Sequence, residues 1–340
     1  MKINVSIIPP SSELKRNRLF NPKFYRDMSL YFFSIFYKTL GNEYNIKTYD
    51  CNLFSKIDVL IIYNLTLKNY LIALIFKIFF KDMKIIYLIF EVESINKLHA
   101  YSVLRKLNAD KIFTWYHDKK IPNQLCVKLP NDPPYYKINI KKKYQCCHIG
   151  TNFVDKNTTT LYGYRVNIIK EFSKKIKDFH LYGRNWDLVG LNGNKCEDKF
   201  NTLAKYRFTI IVENSRINNY VSEKIFDALL CGTIPIYFGA PNINNIIPQN
   251  IFVDISKFKS IEKLLDYVTN MSEREIKIYQ KNITKFINSK AYKDYSSKKL
   301  TLKVRQEMKN LFVHRPTNLI NHILNLYNSI KFLLCIIKKR

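Results

Sequence analysis

Apolar positions along the first 130 residues fall into two kinds of run that alternate. Lys2–Ile8 is a short, nearly continuous apolar stretch closed by Pro9 and Pro10, which predicts a buried strand. Tyr25–Leu40 has apolar residues at helical spacing and stops at Gly41. Val59–Tyr63 predicts a strand, 68–80 a buried helix, and Lys84–Phe90 and Lys111–Trp115 two more strands. Strands alternating with helices predict a parallel sheet covered on both faces. Residues 129–143, LPNDPPYYKINIKKK, hold three prolines and a basic run and predict a linker. The alternation then restarts: strand at Tyr144–Ile149, helix at Leu161–Lys174, strands at Asp178–Tyr182 and Phe208–Val212, helix at Ser222–Leu230, strand at Ile234–Phe238. The pattern predicts an α/β chain of two Rossmann-like domains facing a cleft, an N-terminal one over 1–135 and a C-terminal one over 144–300. Residues 271–312 are helical and heavily charged. The segment 301–340 is expected as a separate basic, amphipathic helical tail ending FLLCII and Lys338, Lys339, Arg340.

Composition narrows the partners. Hydrophobic residues are 47% of the 340, enough to fill two cores. Lys and Arg number 56 against 27 Asp and Glu, a formal charge of +29. Such an excess favours polyanions: nucleic acid, anionic lipid or a nucleotide diphosphate. The basic residues are spread rather than focused and no nucleic-acid motif is present, so a specific nucleic-acid partner is not expected. The seven Cys form no CxxC pair and the six His no ligand pair, so no metal site is expected. The odd number of scattered Cys fits reduced thiols in a cytoplasm. Neither MKINVSIIPP nor LIALIFKIFF (71–80) reaches the roughly 20 apolar residues of a membrane span.

Residues 208–258 carry the most specific pattern: Val212-Glu213-Asn214, Tyr220-Val221-Ser222-Glu223-Lys224, Gly232-Thr233-Ile234-Pro235-Ile236, then Gly239 and Phe258. This run of about fifty residues resembles the signature region of the α-1,3-fucosyltransferase family, glycosyltransferase family 10. The departures are Val212 for Phe, Ser222 for Thr and Ile for Val. LYGYRVNIIKEF (161–172) and LYGRNW (181–186) also look like family segments. In the N-terminal half the resemblance thins to Phe90-Glu91-Val92-Glu93-Ser94 and Phe113-Thr114-Trp115. The resemblance implies a GT-B architecture, with GDP-fucose bound by the C-terminal domain and an oligosaccharide or lipid-linked glycan acceptor by the N-terminal one. It implies inverting transfer to a hydroxyl such as O3 of GlcNAc or Glc.

Ser222 falls where an N-cap would start a helix, with Glu223 and Lys224 in its first turn. Glu223 there could simply complement the helix dipole, whereas Lys224 opposes it and is better explained by an anionic ligand. By resemblance, Glu223 accepts bonds from ribose hydroxyls, Lys224 pairs with the diphosphate, and Asn214, Tyr220 and Ser222 line the donor site. The match of Arg165 in the family binds phosphate, as a planar two-pronged cation suits; Arg184 is a second candidate. No Asp-x-Asp pair occurs in the chain. Side-chain cations are therefore expected to take the place of a divalent metal, with no obligatory cofactor. An inverting displacement also needs a base on the acceptor side. Glu91 and Glu93 follow a predicted strand, and the family pattern, with its base glutamate just before a turn, favours Glu93. As i and i+2 of a strand they would share a face, so both stay candidates. Two further expectations remain open. The tail 317–340 either lies on an anionic membrane surface, placing the protein peripherally on its inner face, or packs back on the first domain. The alternative donor is another nucleotide sugar on the same fold.

Overall fold

Six parallel strands form the first sheet: β1 (Asn4–Ile8), β2 (Asn45–Thr48), β3 (Val59–Tyr63), β4 (Lys84–Ile89), β5 (Lys111–Thr114) and β6 (Gln124–Cys126), in spatial order β2-β1-β3-β4-β5-β6. The computed structural model describes residues 2–25, 30–53, 55–132, 141–153, 160–313 and 319–337. Most of the proline-rich linker (133–140) and the terminal cations Lys338, Lys339 and Arg340 lie outside the described residues. Period-two alternation sends successive side chains to opposite faces. Val5, Val59, Ile61, Ile86 and Leu88 therefore enter one core, while Ile8, Leu60, Ile62, Ile85 and Tyr87 enter the other. Helices α1 (Tyr31–Leu40), α2 (Leu67–Phe79) and α3 (Tyr101–Leu104) cover these faces. Strands β2 and β6, of four and three residues, are not among the strands that the sequence predicts.

The second sheet has five parallel strands, β7 (Tyr144–Ile149), β8 (Phe179–Tyr182), β9 (Tyr206–Val212), β10 (Ile234–Phe238) and β11 (Val253–Asp254), in order β11-β10-β9-β7-β8. With it come α4 (Tyr162–Lys175), α5 (Lys199–Leu203), α6 (Glu223–Leu230), α7 (Ile261–Thr269), α8 (Glu273–Ile287) and α9 (Lys290–Lys293). The chain divides into two units, Met1–Pro133 with Tyr295–Arg340, and Pro134–Asp294.

The expectation of a separate tail at 301–340 is corrected by this division. Helix α10 (Ser297–Val313) places Leu300, Val304, Met308 and Leu311 in the core that holds Phe32, Phe33 and Phe36 of α1. Helix α11 (Leu319–Ile337) places Phe332 and Ile336 in the opposite core. The Tyr70 hydroxyl of α2 donates to Ser329 O at 2.9 Å, and the Tyr70 and Phe332 rings lie 5.0 Å apart. The other side of α11 is open: Ile320, Ile323, Leu324, Tyr327 and Leu334 are all more than half exposed. Ile320–Ile337 is, by length and composition alone, apolar enough to cross a membrane.

Candidate active site

In the second sheet, β7 is flanked by β8 on one side and β9 on the other, so the strand order reverses between β7 and β9. Crevices beyond the carboxyl ends of strands at such a reversal are where open α/β sheets bind ligands. The segments that emerge there are 150–153 after β7, 213–222 after β9, and the first turns of α4 and α6.

A buried carboxylate organises this point. Glu213, the residue after β9, is fully buried. Its Oε1 accepts from the Ser222 backbone N–H at 2.9 Å, and its Oε2 accepts from the Ser222 hydroxyl at 2.7 Å. That hydroxyl accepts in turn from the Lys224 ammonium at 3.0 Å and caps α6 through the Lys224 N–H. Lys224 Nζ also lies 3.5 Å from Glu213 and 3.7 Å from Glu223. Arg165, one turn into α4 and buried, sends Nη2 to Val212 O at 2.6 Å and Asn214 Oδ1 at 3.2 Å. It thereby satisfies acceptors at the end of β9, while its ring-stacked side sits 4.9 Å from Tyr162. Among the described residues its buried Nε has no hydrogen-bond partner.

The electrostatics follow from this crowding. Burial alone would raise the Glu223 carboxyl, but Lys224 and Lys199 outweigh it and hold it below the usual range. Burial would lower the Lys224 ammonium, but Glu223 and Glu213 outweigh it and raise it. Lys224 is thus held firmly cationic. Deeper on α6, burial lifts Asp227 to about 6 against the pull of Lys199, whose ammonium is 2.5 Å away. The His148 ring of β7 is pushed down to about 3 by burial and by Arg165, and so is neutral. Its Nδ1 pairs with Ile210 O at 2.9 Å, while its buried Nε2 has no hydrogen-bond partner among the described residues. His148, Gly150, Arg165, Lys199 and Lys224 line a small shared cavity.

The structure brings together Arg165, Asn214, Ser222, Glu223 and Lys224 of the residues singled out from sequence. Tyr220 is buried, close enough to Arg165 to act on its charge. Arg184 stands apart from that cluster, exposed beyond β8 on a larger cavity of about 700 Å³. Sequence reading missed Glu213 as a site residue and the Lys199–Asp227 pair. For Glu213 there was a signal: a carboxylate directly following a buried apolar run has nowhere to go but into a hydrogen-bonded site.

In the first unit, β4 ends at Ile89, so Glu91 and Glu93 lie beyond the strand. The expectation that they share a strand face is corrected: Glu91 is half-buried and Glu93 exposed, in a turn. A buried His99 pins this turn. Its Nδ1 donates to Glu91 O at 2.9 Å, and its Nε2 accepts from the Leu65 N–H at 2.9 Å. Asn64, at φ 55, accepts from the Phe90 N–H at 3.0 Å. Trp115 Nε1 donates to Phe90 O at 3.1 Å. The carboxylate-bearing turn is therefore rigidly held.

Two parallel α/β units, the second with a cationic site at its strand reversal, define the architecture of GT-B glycosyltransferases. Residues 139–301 match the model for glycosyltransferase family 10 (fucosyltransferase), C-terminal domain, and this segment belongs to that family. Among curated proteins the chain is similar to an α-(1,4)-fucosyltransferase of Arabidopsis thaliana, 39% identical over 71 residues, 21% of this chain and 18% of that one. It is also similar to the α-(1,3)-fucosyltransferase FucT of Helicobacter pylori, 36% identical over 76 residues, 22% of this chain and 16% of that one. The matched segments thus span less than a fifth of either relative. Among solved structures, an α1,3-fucosyltransferase with GDP-fucose has a TM-score of 0.56 at 16% identity, covering 93% of this chain and 92% of that one. At that identity the likeness speaks for the fold.

Proposed function

We propose that this protein transfers L-fucose from GDP-fucose to a glycan hydroxyl, O3 of GlcNAc or Glc, with inversion. The observation that carries the reading is the Glu213–Ser222–Lys224 chain beside Arg165 at the β7/β9 reversal: a preorganised cationic site where a diphosphate would sit. The family 10 domain and the relatives named above support fucose as the sugar.

In the proposed step, the acceptor oxygen attacks C1 of fucose. The bond from C1 to the β-phosphate oxygen breaks, and GDP leaves with the electron pair. Lys224, with Arg165 behind it, offsets the charge that grows on the departing phosphate. Because these cations are already in place, no divalent ion is required. Glu223, kept ionised by Lys224 and Lys199, accepts from the ribose hydroxyls, and Asn214 and Tyr220 border the donor. The hydroxyl proton passes to a carboxylate of the first unit, Glu93 in our reading, with Glu91 as the alternative.

The test is product analysis with GDP-fucose and a panel of N-acetyllactosamine-type and lipid-linked acceptors. Fucose added at O3 supports the proposal; transfer only from another nucleotide sugar overturns it. We further propose that the protein sits peripherally on the cytoplasmic face of a membrane. In support, α11 carries no acidic residue and keeps one apolar side open.

A further inference from the structure

We propose that the cavity of about 700 Å³ beyond β8 is the nucleobase pocket of the donor site, and that Asp187 within it selects guanine. This inference rests on the reading of the donor as GDP-fucose and names how its base is chosen.

The volume lies within the roughly 300–1,000 Å³ of small-ligand pockets. Its wall is the 183–196 loop, which is a built frame rather than a loose surface segment. The Gly183 N–H donates to Asn194 O at 2.9 Å, and the Asn194 N–H to Leu181 O at 2.8 Å. The Leu191 N–H returns to Trp186 O at 3.1 Å, and Asn152 Nδ2 reaches Asn185 O at 3.0 Å. Gly183, at φ 122, approaches Gly150 so closely that a Cβ there would lie 2.0 Å from Gly150 O. Only glycine permits that contact.

The frame joins this cavity to the cationic one. Trp186 borders the larger cavity, donates from Nε1 to Gly150 O at 2.8 Å, and packs edge-on against His148, with centroids 5.5 Å apart. His148 and Gly150 line the smaller cavity with Arg165 and Lys224. A nucleoside diphosphate with its phosphates at Lys224 would therefore extend its base past Gly150 into the larger space.

Among the described residues lining that space, Asp187 is the single carboxylate. It opens a 3₁₀ turn over Asp187–Val189, closed by the Gly190 N–H to Asp187 O at 3.0 Å with Gly190 at φ 77. The turn holds its backbone while its side chain stays exposed. Guanine presents N1–H and its 2-amino group as neighbouring donors on one edge, which a carboxylate accepts with two oxygens. Hypoxanthine offers only the first of these and uracil a single imide N–H between carbonyls.

The experiment is calorimetric titration of the full chain with GDP and with inosine diphosphate, which lacks only the 2-amino group. Wild type should prefer GDP by about tenfold. Asp187→Ala should weaken GDP by about 10- to 100-fold and bring the two ligands close to parity. Asp187→Asn, isosteric and uncharged, serves the same purpose if the Ala variant fails to fold, and a melting curve on each decides that. Lys224→Ala should weaken both ligands equally and leave their ratio unchanged. If Asp187→Ala or Asp187→Asn keeps the wild-type ratio, the assignment of Asp187 is overturned while the GDP-fucose reading stands. If the wild type binds neither purine diphosphate, that reading fails and this one with it.

Discussion

Ser222 hangs on Glu213: the carboxylate of the residue after β9 takes both the backbone N–H and the hydroxyl of the residue that caps α6, at 2.9 and 2.7 Å. The pair locks the start of the helix to the end of the strand and leaves the Ser222 oxygen facing Lys224. Glu213→Gln should therefore cost about 1–3 kcal/mol, as a mispaired buried hydrogen-bonding group does, and should weaken GDP binding as well. Ser222→Thr keeps the hydroxyl and should be near neutral in both. Urea unfolding with a parallel GDP titration checks this, and an unaffected Glu213→Gln variant would contradict it.

Lys224 and Arg165 separate into different roles. One face of the Arg165 guanidinium is committed to the end of β9, so Arg165→Ala should lower the melting temperature as well as GDP affinity. Lys224→Ala should leave the melting temperature less affected yet reduce GDP affinity and turnover together. If these cations take the place of a metal, transfer by the wild-type protein should persist in excess chelator. Activity lost to chelator and restored by manganese would refute replacement of the metal by side-chain cations.

The turn after β4 carries the proposed base. Glu93→Gln should reduce turnover by on the order of 10²–10⁴ with GDP affinity nearly intact. Glu91 lends its backbone carbonyl to His99, a bond that Glu91→Gln preserves, so that variant should stay active. If Glu91→Gln is dead and Glu93→Gln active, the two are exchanged; if both are active, the base lies elsewhere.

His99 makes the first unit acid-sensitive. Burial pushes its pKa down to about 4, against about 6.5 for a free imidazole. The unfolded chain takes up this proton as pH falls through 6.5, while the folded chain refuses it until about 4. Stability is thus full above about 6.5 and declines as pH falls toward 4, by up to about 3 kcal/mol from this residue. Imidazole NMR shifts would show it: a His99 that titrates near 6.5 in the folded protein removes the effect.

The open sides of α11 and α2 can be tested against lipid. Leu324 and Tyr327 on α11, and Ile75 and Phe79 on α2, are all more than half exposed. Leu324→Glu or Ile75→Glu should lower co-sedimentation with anionic vesicles at low salt without lowering the melting temperature. Removing 331–340 is a poorer test, because it strips Phe332 and Ile336 from the core. Vesicle binding unchanged in both Glu variants would argue that this surface is not a membrane contact.

What the sequence determined by itself was local or continuous. Period-two and helical spacing gave most strands and helices, because each pattern is completed within a few residues of itself. The run 208–258 announced the family 10 domain because strand, turn, cap and helix follow one another without interruption, and Ser222 is the α6 cap for that reason. What only the tertiary structure decided are contacts made by crossovers. Arg165 reaches Val212 O, 47 positions away, because β9 lies beside β7 rather than beside β8. Lys199 meets Asp227, 28 positions on, because α5 and α6 pack together. The return of α11 to the first sheet was one of two alternatives that the sequence left open, and the contacts of α10 and α11 there came only with the structure. An amphipathic helix states in its sequence that it will bury one face, and only the three-dimensional chain path states against what.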